Sequence, residues 1–122
     1  MTPATWVALT LAGGAGSLAR YFVDHLIAFR EHERWPYGIL VVNLTGAFAL
    51  GLLTATVSDD PVLRVVEVGF LGAFTTFSTW MLDTHRLDED GRRRAAVLNI
   101  GVSLAAGLLA AYLGRTVGLW LR

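Results

Sequence analysis

Polar interruptions divide the sequence into four long apolar stretches, near Thr5–Ile27, Tyr37–Val57, Pro61–Leu82 and Ala95–Leu119. Each is long enough for a helix to cross a bilayer, which takes about 20 apolar residues. Charged and turn-forming residues gather between them: Arg30-Glu31-His32-Glu33-Arg34 after the first, Ser58-Asp59-Asp60 after the second, and Asp88-Glu89-Asp90-Gly91-Arg92-Arg93-Arg94 after the third. None of these connections is long enough to be a domain, so residues 1–122 read as one all-α domain of four transmembrane helices. Trp6, Trp35, Tyr37 and Trp120 fall near segment ends, where amphipathic rings favour the headgroup level.

The third stretch breaks its own pattern. Gly72-Ala73-Phe74-Thr75-Thr76-Phe77-Ser78-Thr79-Trp80 sets four hydroxyls among aromatic and small residues where lipid-facing positions are expected. In hydrocarbon every backbone polar group needs a partner within the protein, so such a run belongs where it is buried or lines a polar cavity. A helix interrupted here leaves carbonyls without donors at the end of its first half and N–H groups without acceptors at the start of its second. The freed carbonyls suit a cation.

Composition agrees with membrane residence: mean hydropathy is +0.53, and 54% of residues are hydrophobic against 16% charged. With no cysteine there is no disulfide, thiolate metal site or thiol nucleophile. The formal net charge of zero gives no basic field for nucleic acid. All ten basic side chains are arginine, a bias that a GC-rich genome accounts for. The N-terminus lacks the basic region and cleavage site of a signal peptide. His25, His32 and His85 form no catalytic constellation with serine and aspartate, so an enzyme is not expected.

The other stretches add isolated polar groups. Gly14-Ala15-Gly16-Ser17-Leu18-Ala19 matches a dinucleotide-binding glycine pattern, but no βαβ alternation surrounds it. Ala12 and Gly16, four apart, instead form a small-residue face for close helix packing, and Arg20 continues that face. An arginine this near a helix end can reach the interface along its stem, which competes evenly with a functional role within the membrane. Asn43, among Val41, Val42 and Leu44, needs a partner: a hydrogen bond to another helix or a solvated ion. Asn99, Ser103 and Gly107 share one face of the last helix, beside a packing stripe of Ala106, Ala110 and Gly114.

Taken together, Gly13-Gly14-x-Gly16-x-x-x-Arg20-Tyr21, Pro36-Tyr37-Gly38-x-Leu40-x-Val42-Asn43-x-x-Gly46 and Gly69-Phe70-x-Gly72-x-Phe74-Thr75-Thr76-Phe77-Ser78-Thr79 resemble the Fluc/CrcB family of fluoride channels, in order and over essentially the whole chain. The resemblance implies a broken third helix and an antiparallel dimer with two pores in the cytoplasmic membrane. It also implies a structural Na+ on the backbone carbonyls of Gly72 and Thr75. Asn43 would donate its amide to fluoride, with Phe77, Trp80, Ser103, Thr76 and Ser78 along the pore and Arg20 at a vestibule. Trp80 stands where the family has a second phenylalanine, and its indole adds an N–H donor; Ile39 stands where the family often has threonine.

Two other readings compete. A small proton-coupled multidrug exporter needs a carboxyl group deep in the membrane, whereas Glu67 lies only six residues after Pro61. A membrane subunit without transport activity explains the packing stripes but not the polar break. The arginines bear on orientation. Arg30, Arg34, Arg86, Arg92, Arg93 and Arg94 flank one side, against Arg64, Arg115 and Arg122 on the other, which favours termini outside. Because an antiparallel homodimer inserts equally both ways, the partner is either a second copy or an oppositely biased homologous subunit.

Overall fold

The computed structural model describes residues 2–31, 35–56 and 60–122, and there is no strand among them. Helix α1, Pro3–Glu31, opens with proline at its first position, and Thr2 Oγ1 accepts the Thr5 N–H at 3.3 Å. Helix α2 spans Tyr37–Thr56. The third stretch is segmented into α3 (Pro61–Val65), a π-helical turn (Val66–Leu71), α4 (Gly72–Phe74) and α5 (Ser78–Glu89), with residues 75–77 outside any helix. Asp60 caps α3, its Oδ1 accepting the Val62 N–H at 2.8 Å ahead of Pro61. Helix α6 is Arg93–Trp120.

Helical hydrogen bonding outlasts the apolar pattern. Asp88, Glu89, Arg93 and Arg94, expected in a connection, belong to α5 and α6. Only residues 90–92 join the two helices. Gly91 there has φ 75, the Arg92 N–H bonds to the Leu87 carbonyl at 2.9 Å, and the Gly91 N–H bonds to the Asp88 carbonyl at 3.0 Å. This paired arrangement closes a helix on a left-handed glycine. His32, Glu33, Arg34, Val57, Ser58 and Asp59 lie outside the described residues.

Among the described residues, three helical stretches are long and apolar enough to cross a membrane: Tyr37–Thr56, Pro61–Glu89 and Arg93–Trp120. The expected span Thr5–Ile27 is not among them. Its helix has 29 residues, but Gly13, Gly14, Gly16, Ser17, Arg20 and Asp24 dilute its hydropathy.

Glycines set the packing. A Cβ on Gly51 would overlap the Ala111 carbonyl, and one on Gly114 the Phe48 carbonyl, so α2 and α6 lie backbone to backbone. A Cβ on Gly16 would overlap the Phe70 carbonyl, which seats α1 on the π turn. The interior is small, with Ile39, Val42, Ala55, Leu71, Leu87 and Ala96 as its buried apolar residues, while Leu11, Leu18, Val68, Leu104 and Leu108 point outward. So much exposed apolar surface fits a chain covered by lipid or by another subunit.

Candidate functional site

The break closes on one side chain. Asn43 Nδ2 donates to the Thr76 carbonyl at 2.9 Å, and Asn43 Oδ1 accepts the Thr76 N–H at 2.8 Å. The amide thus serves one donor and one acceptor that the interruption strands, and one of its two N–H groups remains. This is the interhelical hydrogen bond that the sequence offered as the alternative to an ion contact.

The same exchange leaves the carbonyls of Gly72 and Thr75 without their helical donors. In a continuous helix the Gly72 carbonyl would receive the Thr76 N–H, which goes instead to Asn43. The Thr75 carbonyl would receive the Thr79 N–H, which goes to Thr76 Oγ1 at 3.3 Å. Thr75 itself is extended, with φ −74 and ψ 153. Hard cations take oxygen ligands, several at a time, so these two carbonyls match a small cation in kind, and one chain supplies only part of a shell. Arg20 Nη1 reaches the Thr75 carbonyl at 3.4 Å and competes for it. Arg20 therefore meets the break rather than standing apart from it.

Asn43, Gly72, Thr75 and Thr76 face Phe77, Trp80 and Ser103 around one groove of about 520 Å³ between α2, the segmented stretch and α6. Phe77 is 70% exposed there, perpendicular to Trp80 at a centroid distance of 5.6 Å. Ser78 does not line this groove; its Oγ lies 3.3 Å from Thr76 Oγ1. The Trp80 indole N–H, which the sequence left available to an anion, donates to the Asn99 carbonyl at 3.2 Å.

Asn99 is fully buried as a node. Its Nδ2 donates to Thr84 Oγ1 at 2.9 Å, its Oδ1 accepts from Ser103 Oγ at 3.4 Å, and Thr84 Oγ1 donates to the Trp80 carbonyl at 2.8 Å. Asn99 ties α5 to α6, while Ser103 reaches the groove.

Two residues escaped the sequence reading as parts of this arrangement. Thr84 joins the network, and its signal was a buried hydroxyl one turn after Trp80. Glu67 lines the groove, and its Oε1 is buried without a hydrogen-bond partner. Its signal was a single acidic residue in an apolar run.

The sequence matches the family described as "CrcB-like protein, Camphor Resistance (CrcB)" over residues 7–115. It is 45% identical over 117 residues to the "Fluoride-specific ion channel FluC 2" of Mycobacterium tuberculosis, covering 96% of this chain and 93% of that protein. The "Fluoride-specific ion channel FluC 1" of Symbiobacterium thermophilum is 46% identical over 120 residues, covering 93% and 97%. The "Fluoride-specific ion channel FluC" of Acidobacterium capsulatum is 45% identical over 118 residues, covering 93% of each chain. These channel relatives and the apolar spans make the chain a multi-pass membrane protein. With most of its length matched and its polar break seated among the helices, the chain belongs to the CrcB-like family.

Proposed function

We propose that the chain is one subunit of a fluoride-selective channel in the cell membrane. It is one domain of four transmembrane helices, the third interrupted, completed by a second subunit of opposite orientation. Fluoride leaves the cytoplasm through it, which lowers fluoride toxicity. Since the relatives are named as ion channels, the chain is not an enzyme.

The observation that carries this reading is the groove beside the break, where the spare amide hydrogen of Asn43 stands with Phe77, and where the Ser103 hydroxyl has only a long bond of 3.4 Å to Asn99 Oδ1 to give up. Fluoride is small and strongly hydrated, and a passage through low dielectric has to replace its water with close donors. Neutral donors do so without the deep binding that a fixed cation imposes. The edges of the Phe77 ring carry partial positive charge toward the same space. Thr76 and Ser78 add hydroxyls at the break, and Arg20 contributes positive potential beside it. The carbonyls of Gly72 and Thr75 are the residues that would hold a structural Na+, whose charge would draw together carbonyl ends that otherwise repel. The exporter reading gains only Glu67 in the groove, and none of the relatives reported above is named an exporter.

The test is ion efflux from liposomes containing only this purified chain. Fluoride is expected to leave and chloride to leave far more slowly, with fluoride flux falling after exhaustive sodium removal. Equal chloride flux would remove the selectivity claim. Undiminished flux without sodium would remove the role given to Gly72 and Thr75.

A further inference from the structure

Trp80 lines the groove beside Phe77, yet its one side-chain donor is turned away from that space. The indole N–H donates to the Asn99 carbonyl at 3.2 Å, and Asn99 does not line the groove. The main-chain end of Trp80 is held by the same residue. Its carbonyl accepts from Thr84 Oγ1 at 2.8 Å, and Thr84 Oγ1 in turn accepts from Asn99 Nδ2 at 2.9 Å. Asn99 and Thr84 are both buried, so water does not compete for these bonds. One attachment leaves an aromatic side chain free to change rotamer, whereas attachment at both the main chain and the ring selects a single one. A helical carbonyl keeps a second lone pair beyond its own helical bond, so α6 receives the indole without giving up its ladder.

We propose that Asn99 and Thr84 are positioning residues of the fluoride path that act through Trp80: they lock the indole so that its carbon edge, and not its N–H, meets the anion. The proposal rests on the channel reading. A strong donor in a desolvated anion path makes a deep well, and conduction needs binding weak enough to release the ion. The partial positive charge on a ring edge is a softer partner than an N–H. With the N–H spent on α6, what Trp80 adds beside Phe77, perpendicular to it at a centroid distance of 5.6 Å, is carbon surface alone. An unlocked indole would swing its N–H toward the anion and hold it.

The lock is read directly by solution NMR of the full chain, in which the Trp80 indole N–H signal is the one lost in Trp80→Phe. That signal is expected to stay in place as fluoride is added to the unmodified chain. Its exchange with deuterated water is expected to be roughly tenfold or more faster in Thr84→Val, and to return in Thr84→Ser, which keeps the hydroxyl. If Thr84→Val does not fold, Asn99→Ala removes the same bond from the other side and is read in the same way. Fluoride efflux from liposomes is measured on the same proteins. Trp80→Phe keeps a carbon edge and is expected to conduct within a few-fold of the unmodified chain. Thr84→Val is expected to lower efflux about tenfold in the presence of Trp80 but not further in Trp80→Phe, whereas a hydroxyl that only joined α5 to α6 would lower both. A fluoride-dependent shift of the indole signal, loss of efflux in folded Trp80→Phe, or equal losses from Thr84→Val in both backgrounds overturns the proposal. Absent efflux from the unmodified chain refutes the channel reading instead, and the exchange rates still decide whether Asn99 and Thr84 hold the indole.

Discussion

Asn43 shows how one side chain closes an interruption in a helix. Its amide meets the Thr76 backbone at 2.9 and 2.8 Å, so the interruption does not leave both groups stranded in a low-dielectric region. Asn43→Asp keeps an acceptor for the Thr76 N–H but turns a second oxygen toward the Thr76 carbonyl and adds negative charge beside the groove. Fluoride efflux is expected to fall by ~100-fold or more, since like charges placed together cost several kcal/mol. Normal efflux by a folded Asn43→Asp dimer would remove the residue from the path. That Asn43 mattered was legible in its apolar neighbours. That it serves Thr76, 33 positions away, was not, because a hydrogen bond depends on which helices meet. Trp80 makes the same point: the sequence supplies the indole N–H, and the fold directs it to Asn99.

Among the helices, glycine separates contacts that look alike in sequence. Gly14 and Gly16 sit in one small-residue run, yet a Cβ on Gly14 meets nothing within 4 Å while one on Gly16 overlaps the Phe70 carbonyl. Gly14→Ala is expected to stabilise α1 by up to about 1 kcal/mol through helix propensity. Gly16→Ala is expected to destabilise the protein by about 1–3 kcal/mol, because backbone moves less readily than a side chain. Thermal unfolding in detergent measures both, and the reverse order would contradict the packing of α1 on the π turn. The π turn itself was not legible. Its residues are ordinary helix residues, and the lengthened bond from Gly72 to Glu67 becomes visible only in the folded stretch.

For the whole molecule, orientation is the open competition. An assembly of two opposed copies needs insertion both ways, but six arginines flank one side of the spans against three on the other. Of the six, Arg34 lies outside the described residues. A compartment-sensitive reporter on the C-terminus, in a cell without homologous subunits, reads the balance. The two-copy assembly predicts signal from both sides. Signal from outside alone would assign the chain to a pair with an oppositely biased homologue.

Apolar stretches, the polar connections between them and the hydroxyl-rich run are local properties, and from them alone came the membrane class, the approximate positions of the helices and the place of the break. As site residues, Asn43, Gly72, Thr75, Thr76, Phe77, Trp80 and Ser103 were singled out by the family resemblance, not by residue type, and the fold gathers them around the groove with Glu67 and apolar or small neighbours. Tertiary structure decided the partners: Asn43 to Thr76, Trp80 to Asn99, Arg20 to Thr75, with Glu67 Oε1 buried and without a hydrogen-bond partner among the described residues. Helix propensity and hydropathy act over neighbouring residues. A buried polar group takes its partner from whatever other helix lies within about 3 Å of it, and the glycines that set those approaches act only once the helices have docked.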